Sequence, residues 1–197
     1  MTKEKRAFHF EMRKADNQPR AMVGHAAVFG EPTDIGGWFR EVIEPGAFTA
    51  SITEDDIRAL WNHNPDHVLG RNTAGTLVLA EDAQGLRTTI TPPDTQVARD
   101  LAVSIERGDI NQMSFAFEVL AEEWIKGEDR TLDLRKIKKV RLFDVSPVTF
   151  PAYEGTDIAL RSHDAWAKAQ VPQTPPSPGA DDYANTTLLR LQFIGRM

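Results

Sequence analysis

The chain has 197 residues, enough for one domain with a sizeable core and a tail. It is 41% hydrophobic and 26% charged, the balance of a soluble globular protein, and a net charge of −6 argues against a nucleic-acid partner bound along its phosphates. No cysteine is present, which excludes disulfides, thiolate metal sites and a cysteine nucleophile. No run approaches the ~18 apolar residues of a membrane span, and the opening MTKEKRAFHF lacks a signal peptide's apolar core.

Phe8, Phe10 and Met12 alternate with polar neighbours, so the chain is expected to open with a strand. Turn-formers at Asp16-Asn17-Gln18-Pro19 lead to a second strand over MVGHAAVFG (22–30), and FREVI (39–43) reads as a third. Glu44-Pro45-Gly46 breaks it, and AFTASI (47–52) suits a short helix. IRALWNH (57–63), TLVLAED (76–82) and LRTTIT (86–91) read as strands, the last two a hairpin across Ala83-Gln84-Gly85. A helix is predicted from about Thr95 to Arg107, because Val97, Leu101 and Ile105 recur every four residues. Asp94 or Thr95 can cap it and Gly108 can end it.

The next strand, within GDINQMSFAF (108–117), places Met113, Phe115, Phe117 and Val119 on one face and Gln112, Ser114 and Ala116 on the other. After a turn near Lys126-Gly127-Glu128-Asp129 come further strands, ending in VRLFDVSPVTF (140–150). The basic cluster Arg135, Lys136, Lys138, Lys139 and Arg141 reads as a solvated edge, its charges divided between two faces. Many short strands with one or two helices suggest a β-rich α+β fold, a barrel or curled sheet with helices packed outside. From about Ala165 the chain turns Pro-rich and polar. The expected division is a domain over 1–164, a linker over 165–187 and an apolar segment over 188–197, which either docks back or recruits a partner.

Without cysteine, the available nucleophiles are Ser, Thr, Lys or a metal-bound water. His63 and His67 are spaced by four, as helical metal ligands are, but Pro65 between them opposes a helix and no HExxH-like glutamate is near. Two surface histidines in a polar turn is the plainer reading, and no metal or cofactor is expected. Acyl transfer needs a serine, a base and an acceptor that orients the base. Ser114, His63 and Asp144 could supply them. On spacing alone, the plainer reading of Ser114 is a strand serine facing water, and an edge-strand aspartate facing water stays open for Asp144.

Four segments together resemble the prohead maturation proteases of tailed bacteriophages, serine peptidases similar in fold to herpesvirus assemblins. They are FREVIEPGAF (39–48), LWNHNPDHVLGR (60–71) with an Asn-His pair and a Leu-Gly-Arg turn, RGDINQMSFAFEV (107–119) and LFDVSPVTFPAY (142–153). Order and spacing agree over roughly residues 7–162. The resemblance implies an antiparallel β-barrel surrounded by a few helices. It also implies Ser114 as nucleophile, His63 as general base and Asp144, where the family more often has Glu, as the orienting acid. Gln112 and Ala116 become candidates for lining the cleft.

The implied substrates are the scaffolding region of the major capsid protein, or a separate scaffold, and the enzyme itself. Homodimerisation and action inside the procapsid in the host cytoplasm are implied as well. The alternative is a catalytically silent assembly or scaffold module of the same fold.

Overall fold

The computed structural model describes residues 3–8, 13–15, 18–128, 131–150 and 156–170. Contacts divide the chain into two units, Met1–His163 and Asp164–Met197. Its elements are β1 (Glu4–Phe8), β2 (Arg13–Ala15), β3 (Gln18–Val28), β4 (Thr33–Ile35), β5 (Phe39–Ile43), α1 (Thr49–Glu54), β6 (Arg58–Trp61), β7 (Asn64–Arg71), β8 (Leu77–Glu81), β9 (Gly85–Ile90), α2 (Gln96–Glu106), β10 (Gln112–Ile125), β11 (Asp133–Val148) and α3 (Thr156–Gln170). None of the described helices is long and apolar enough to cross a membrane.

The architecture is β-rich α+β, as expected, built as two sheets. A seven-stranded sheet runs β1-β10-β11-β5-β4, with β6 paired to β11 and β7 to β6, and a four-stranded sheet runs β2-β3-β9-β8. Among the described residues the strand order of neither sheet closes into a barrel. Nor is the pairing wholly antiparallel, since β11 runs parallel to both β5 and β6.

One core joins the two sheets. Phe115, Phe117 and Val145 of the larger sheet meet Met22, Leu79, Leu86 and Ile90 of the smaller, and α2 adds Ala98, Leu101 and Ile105. The Phe115 ring stacks on Phe117 at 4.8 Å and meets Phe48 edge-on at 5.5 Å. Thr95 caps α2 by accepting from the Ala98 N–H, and Gly108 ends it with a φ of 81°.

β11 is the spine of the larger sheet. One edge pairs with β10 almost throughout, and the other is shared by β5 at residues 133–137 and β6 at 144–145. The gap between them is filled from the turn after β5 and from α1: Glu44 donates to the Ile137 carbonyl, Val140 donates to the Ala47 carbonyl, and Leu142 donates to the Ser51 hydroxyl. This supplies partners for buried backbone groups that no strand reaches. The segment FREVIEPGAF is thereby explained as structural. Glu81 holds its turn by accepting from the Gly46 and Phe48 N–H groups and the Thr49 hydroxyl.

The interior position of β11 corrects the expected solvated edge at 135–141. Arg135 is fully buried, whereas Lys138 and Lys139 are exposed and Lys136 and Arg141 are half-buried. Its guanidinium bonds Glu4 and Glu41 at 2.9 Å and Glu122 at 2.6 Å. Arg6 joins the same cluster, 2.6 Å from Glu41 and 2.7 Å from Glu4. The cluster therefore ties β1, β10, β11 and β5 together. Burial alone would make Arg135 easier to deprotonate, but the Glu4 hydrogen bond and the charges of Glu4, Glu41 and Glu122 outweigh it and hold the proton more tightly than usual.

Three further sequence expectations differ from the structure. β7 lies where a polar turn was expected, and Leu69-Gly70-Arg71 ends that strand instead of forming a turn. Gly70 is needed there because a Cβ would lie 2.7 Å from the Thr76 carbonyl oxygen. α3 extends through residues 165–170, which were expected in the linker. Of the expected opening strand, residues 9–12 lie outside the described residues, as do 171–197, which hold the rest of the linker and the terminal segment.

Removing one partner of a buried ion cluster leaves its counter-charges unpaired, at a cost of about 3–5 kcal/mol. Arg135→Met is expected to lower unfolding free energy by about that amount in urea titrations. Burial pushes the Glu122 carboxyl up, but the Ser162 hydroxyl and Arg135 outweigh it, leaving it below its ordinary value of 4.5. A carboxyl depressed in the folded state adds stability above its ordinary value, and that stability is lost as pH falls through the folded one. Stability measured from pH 6 down to about pH 3 should therefore fall less steeply in Glu122→Gln than in the parent.

Candidate functional site

β6 and β7 form a hairpin in which Trp61 pairs with Asn64, so Asn62 and His63 alone make the turn. Both have positive φ, 54° and 56°, the signature of a type I′ turn, whose second central position ordinarily takes glycine. A histidine there costs backbone strain on the order of 1 kcal/mol, and such strain persists only where the surroundings impose it. Here the end of β11 imposes it. The Asn62 N–H donates to the Pro147 carbonyl, Thr149 N–H donates to Asn62 Oδ1 at 2.9 Å, and Asn62 Nδ2 bonds Thr149 Oγ1 at 3.2 Å.

Beneath this turn, β10 and β11 present one small face. Ser114 pairs directly with Ser146, and Ala116 with Asp144, so these four side chains form a square on the sheet. The opposite pleat carries Met113, Phe115, Phe117 and Val145 into the core. A bulge follows at once between Ala116 and Phe117, and β6 pairs in parallel with β11 at Asp144–Val145. The strand that leads to His63 is thus hydrogen-bonded to the strand segment that holds Asp144. That proximity lets the shorter aspartate reach the ring.

The three residues singled out from the sequence meet. His63 Nδ1 lies 2.5 Å from Asp144 Oδ1, and Nε2 lies 2.8 Å from Ser114 Oγ. A carboxylate only accepts, so in the neutral ring Nδ1 carries the hydrogen and Nε2 is left as an acceptor facing the hydroxyl. The Ser114 hydroxyl has a second acceptor, the Arg6 carbonyl oxygen of β1, at 2.8 Å. It has one hydrogen to share between them. A base within hydrogen-bond reach of a hydroxyl, itself oriented by a carboxylate, can take the proton as the oxygen attacks a carbonyl carbon.

The site is covered. Ser114 is 0% exposed and Asp144 7%, so neither faces water as the plain strand reading had it. A peptide can reach the hydroxyl only after neighbouring groups move. His63 and His67 do not converge: both His63 nitrogens are engaged as above, and His67 stacks on Trp61 at 5.5 Å. Among the described residues no group of His, Asp and Glu could hold a metal ion. Ala116, expected to line a cleft, is buried opposite Asp144, and Gln112 is half-buried.

Two neighbours escaped sequence reasoning. Asn62 fixes the histidine turn, and its signal was a polar dipeptide, Asn-His, between two extended segments. The Ser146 hydroxyl donates to Asp144 Oδ1 at 2.8 Å, and its signal was a spacing of two from the acid, which puts both on one strand face.

A family model described as caudovirus prohead serine protease matches residues 8–169. No curated protein and no solved structure gives a significant match.

Asn62→Ala removes the two bonds to Thr149 and places a Cβ-bearing residue without a polar side chain at positive φ. A loss of about 1–3 kcal/mol in denaturant unfolding is expected. Asn62→Gly, which adopts that φ freely, should lose less.

Proposed function

Because the chain belongs to the caudovirus prohead serine protease family, we propose that it hydrolyses peptide bonds with Ser114 as nucleophile, His63 as general base and Asp144 as the acid that orients the ring. The observation that carries this reading is the single imidazole bridging Asp144 at 2.5 Å and Ser114 at 2.8 Å. His63 takes the Ser114 proton as Oγ attacks the scissile carbonyl, then delivers it to the leaving amine, and an acyl-enzyme remains. Water attacks that ester with His63 again as base, which frees the new carboxylate and restores the hydroxyl. Asp144 stays ionised and stabilises the imidazolium formed in both steps.

A prohead protease acts on capsid components within the assembling procapsid of the host. The substrates proposed are the scaffolding region of the major capsid protein, or a separate scaffold protein, and the enzyme itself. Residues 1–164 form the peptidase domain in this reading. The Pro-rich stretch beyond Gln170 supplies a self-cleavage region, residues 188–197 a contact to scaffold or capsid protein, and a second copy a possible homodimer partner.

The complete burial of Ser114 favours one other reading, a silent assembly module that keeps the fold. Co-expression with the capsid protein separates the two by intact mass. The protease reading expects trimmed capsid protein with the parent chain and full-length capsid protein with Ser114→Ala, both chains remaining folded. Equal trimming by the Ser114→Ala variant would overturn the proposed nucleophile. No trimming by either chain would favour the silent module.

A further inference from the structure

Asp144 Oδ1 accepts two hydrogen bonds. One comes from the His63 ring, and the second comes from the Ser146 hydroxyl at 2.8 Å. Ser146 is 0% exposed. It stands directly across the strand pair from Ser114. The residue that follows is Pro147, which restricts Ser146 to extended backbone and so fixes the direction in which its side chain leaves β11.

We propose that Ser146 is a positioning residue for the His63–Ser114 pair, a role that rests on the catalytic reading above. An aspartate has one freely turning bond between its carboxylate and its Cβ, and both oxygens can present themselves to a donor. The Ser146 hydrogen bond pins Oδ1 toward the imidazole and keeps the carboxylate plane from rotating. It also disperses charge on the oxygen that faces the ring, so the proton between Nδ1 and Oδ1 stays on nitrogen. With Nδ1 protonated, Nε2 remains the acceptor that the Ser114 hydroxyl needs. A buried serine could satisfy its hydroxyl on any nearby carbonyl. Ser146 uses the one oxygen whose orientation sets the tautomer of the base.

The test compares Ser146→Ala and Ser146→Thr with the parent in the full chain, by two readouts. The first is the low-field proton NMR resonance of the His63 Nδ1–H, identified by its loss in His63→Gln. The second is the rate at which a fluorophosphonate modifies Ser114, followed by mass. Ser146→Ala is expected to move or broaden the resonance and to slow modification by roughly ten- to a hundredfold, the range for losing a buried hydrogen bond to a charged group. Ser146→Thr keeps the hydroxyl on a β-branched residue suited to a strand, and it should restore both.

An unchanged resonance and rate in Ser146→Ala would overturn the proposal. So would a threonine variant that is folded and restores neither. If the parent resists modification even under conditions that open the site, while the resonance responds as expected, positioning of His63 stands and the nucleophile assignment to Ser114 fails. The two readings can therefore fail separately.

Discussion

A carboxylate in the interior of a sheet is the constraint on which the site depends. Removing an ionised group from water costs several kcal/mol unless partners replace the lost hydration. Asp144 is 7% exposed on a strand flanked on both sides by others. It needs donors, and the two supplied are the His63 ring and the Ser146 hydroxyl. The first forces a histidine into a left-handed turn position, and the second puts a serine where a core residue would otherwise pack. The fold accepts both because β11 is held along almost its whole length.

The same device recurs at the other end of β11. Arg135 and Arg6 are buried among Glu4, Glu41 and Glu122, an arrangement costly to assemble and costlier to break than an apolar cluster of the same size. Its consequence for the site is geometric. β1 is fixed in place by this cluster, and the β1 carbonyl at Arg6 meets the Ser114 hydroxyl. The nucleophile candidate is therefore locked between two acceptors, one on the histidine turn and one on the first strand.

Much of the fold was legible wherever side-chain alternation reflects burial. β5, β8, β9 and α2 lie within a residue or two of their expected positions, because β8, β9 and α2 turn an apolar face to the common core and β5 buries Ile43 there and Phe39 in a second cluster with Ile35 and Trp124. β7 was not legible: NPDHVLGR begins with turn-forming residues, and it becomes a strand only because the two-residue turn at Asn62–His63 lays it against β6. Arg135 was misread for a related reason. Its partners Glu4 and Glu41 lie far away in sequence, so nothing local marks it as buried. α3 carries only a weak apolar stripe beside its alanines and charges, and it merged with the polar stretch that follows.

Residue chemistry alone offered Ser114, His63 and Asp144 as one of several options. The order of four motifs singled them out, and the structure brings them within hydrogen-bond distance. Asn62 and Ser146 were invisible as contributors because their importance is relational, one clamping a turn and the other sharing an acceptor. The account is tested most directly by peptide mapping of the parent chain after reaction with a fluorophosphonate under conditions that open the site. It predicts a single adduct on Ser114 that is absent from His63→Gln. An adduct on another serine, or one on Ser114 that forms equally well without His63, would contradict it.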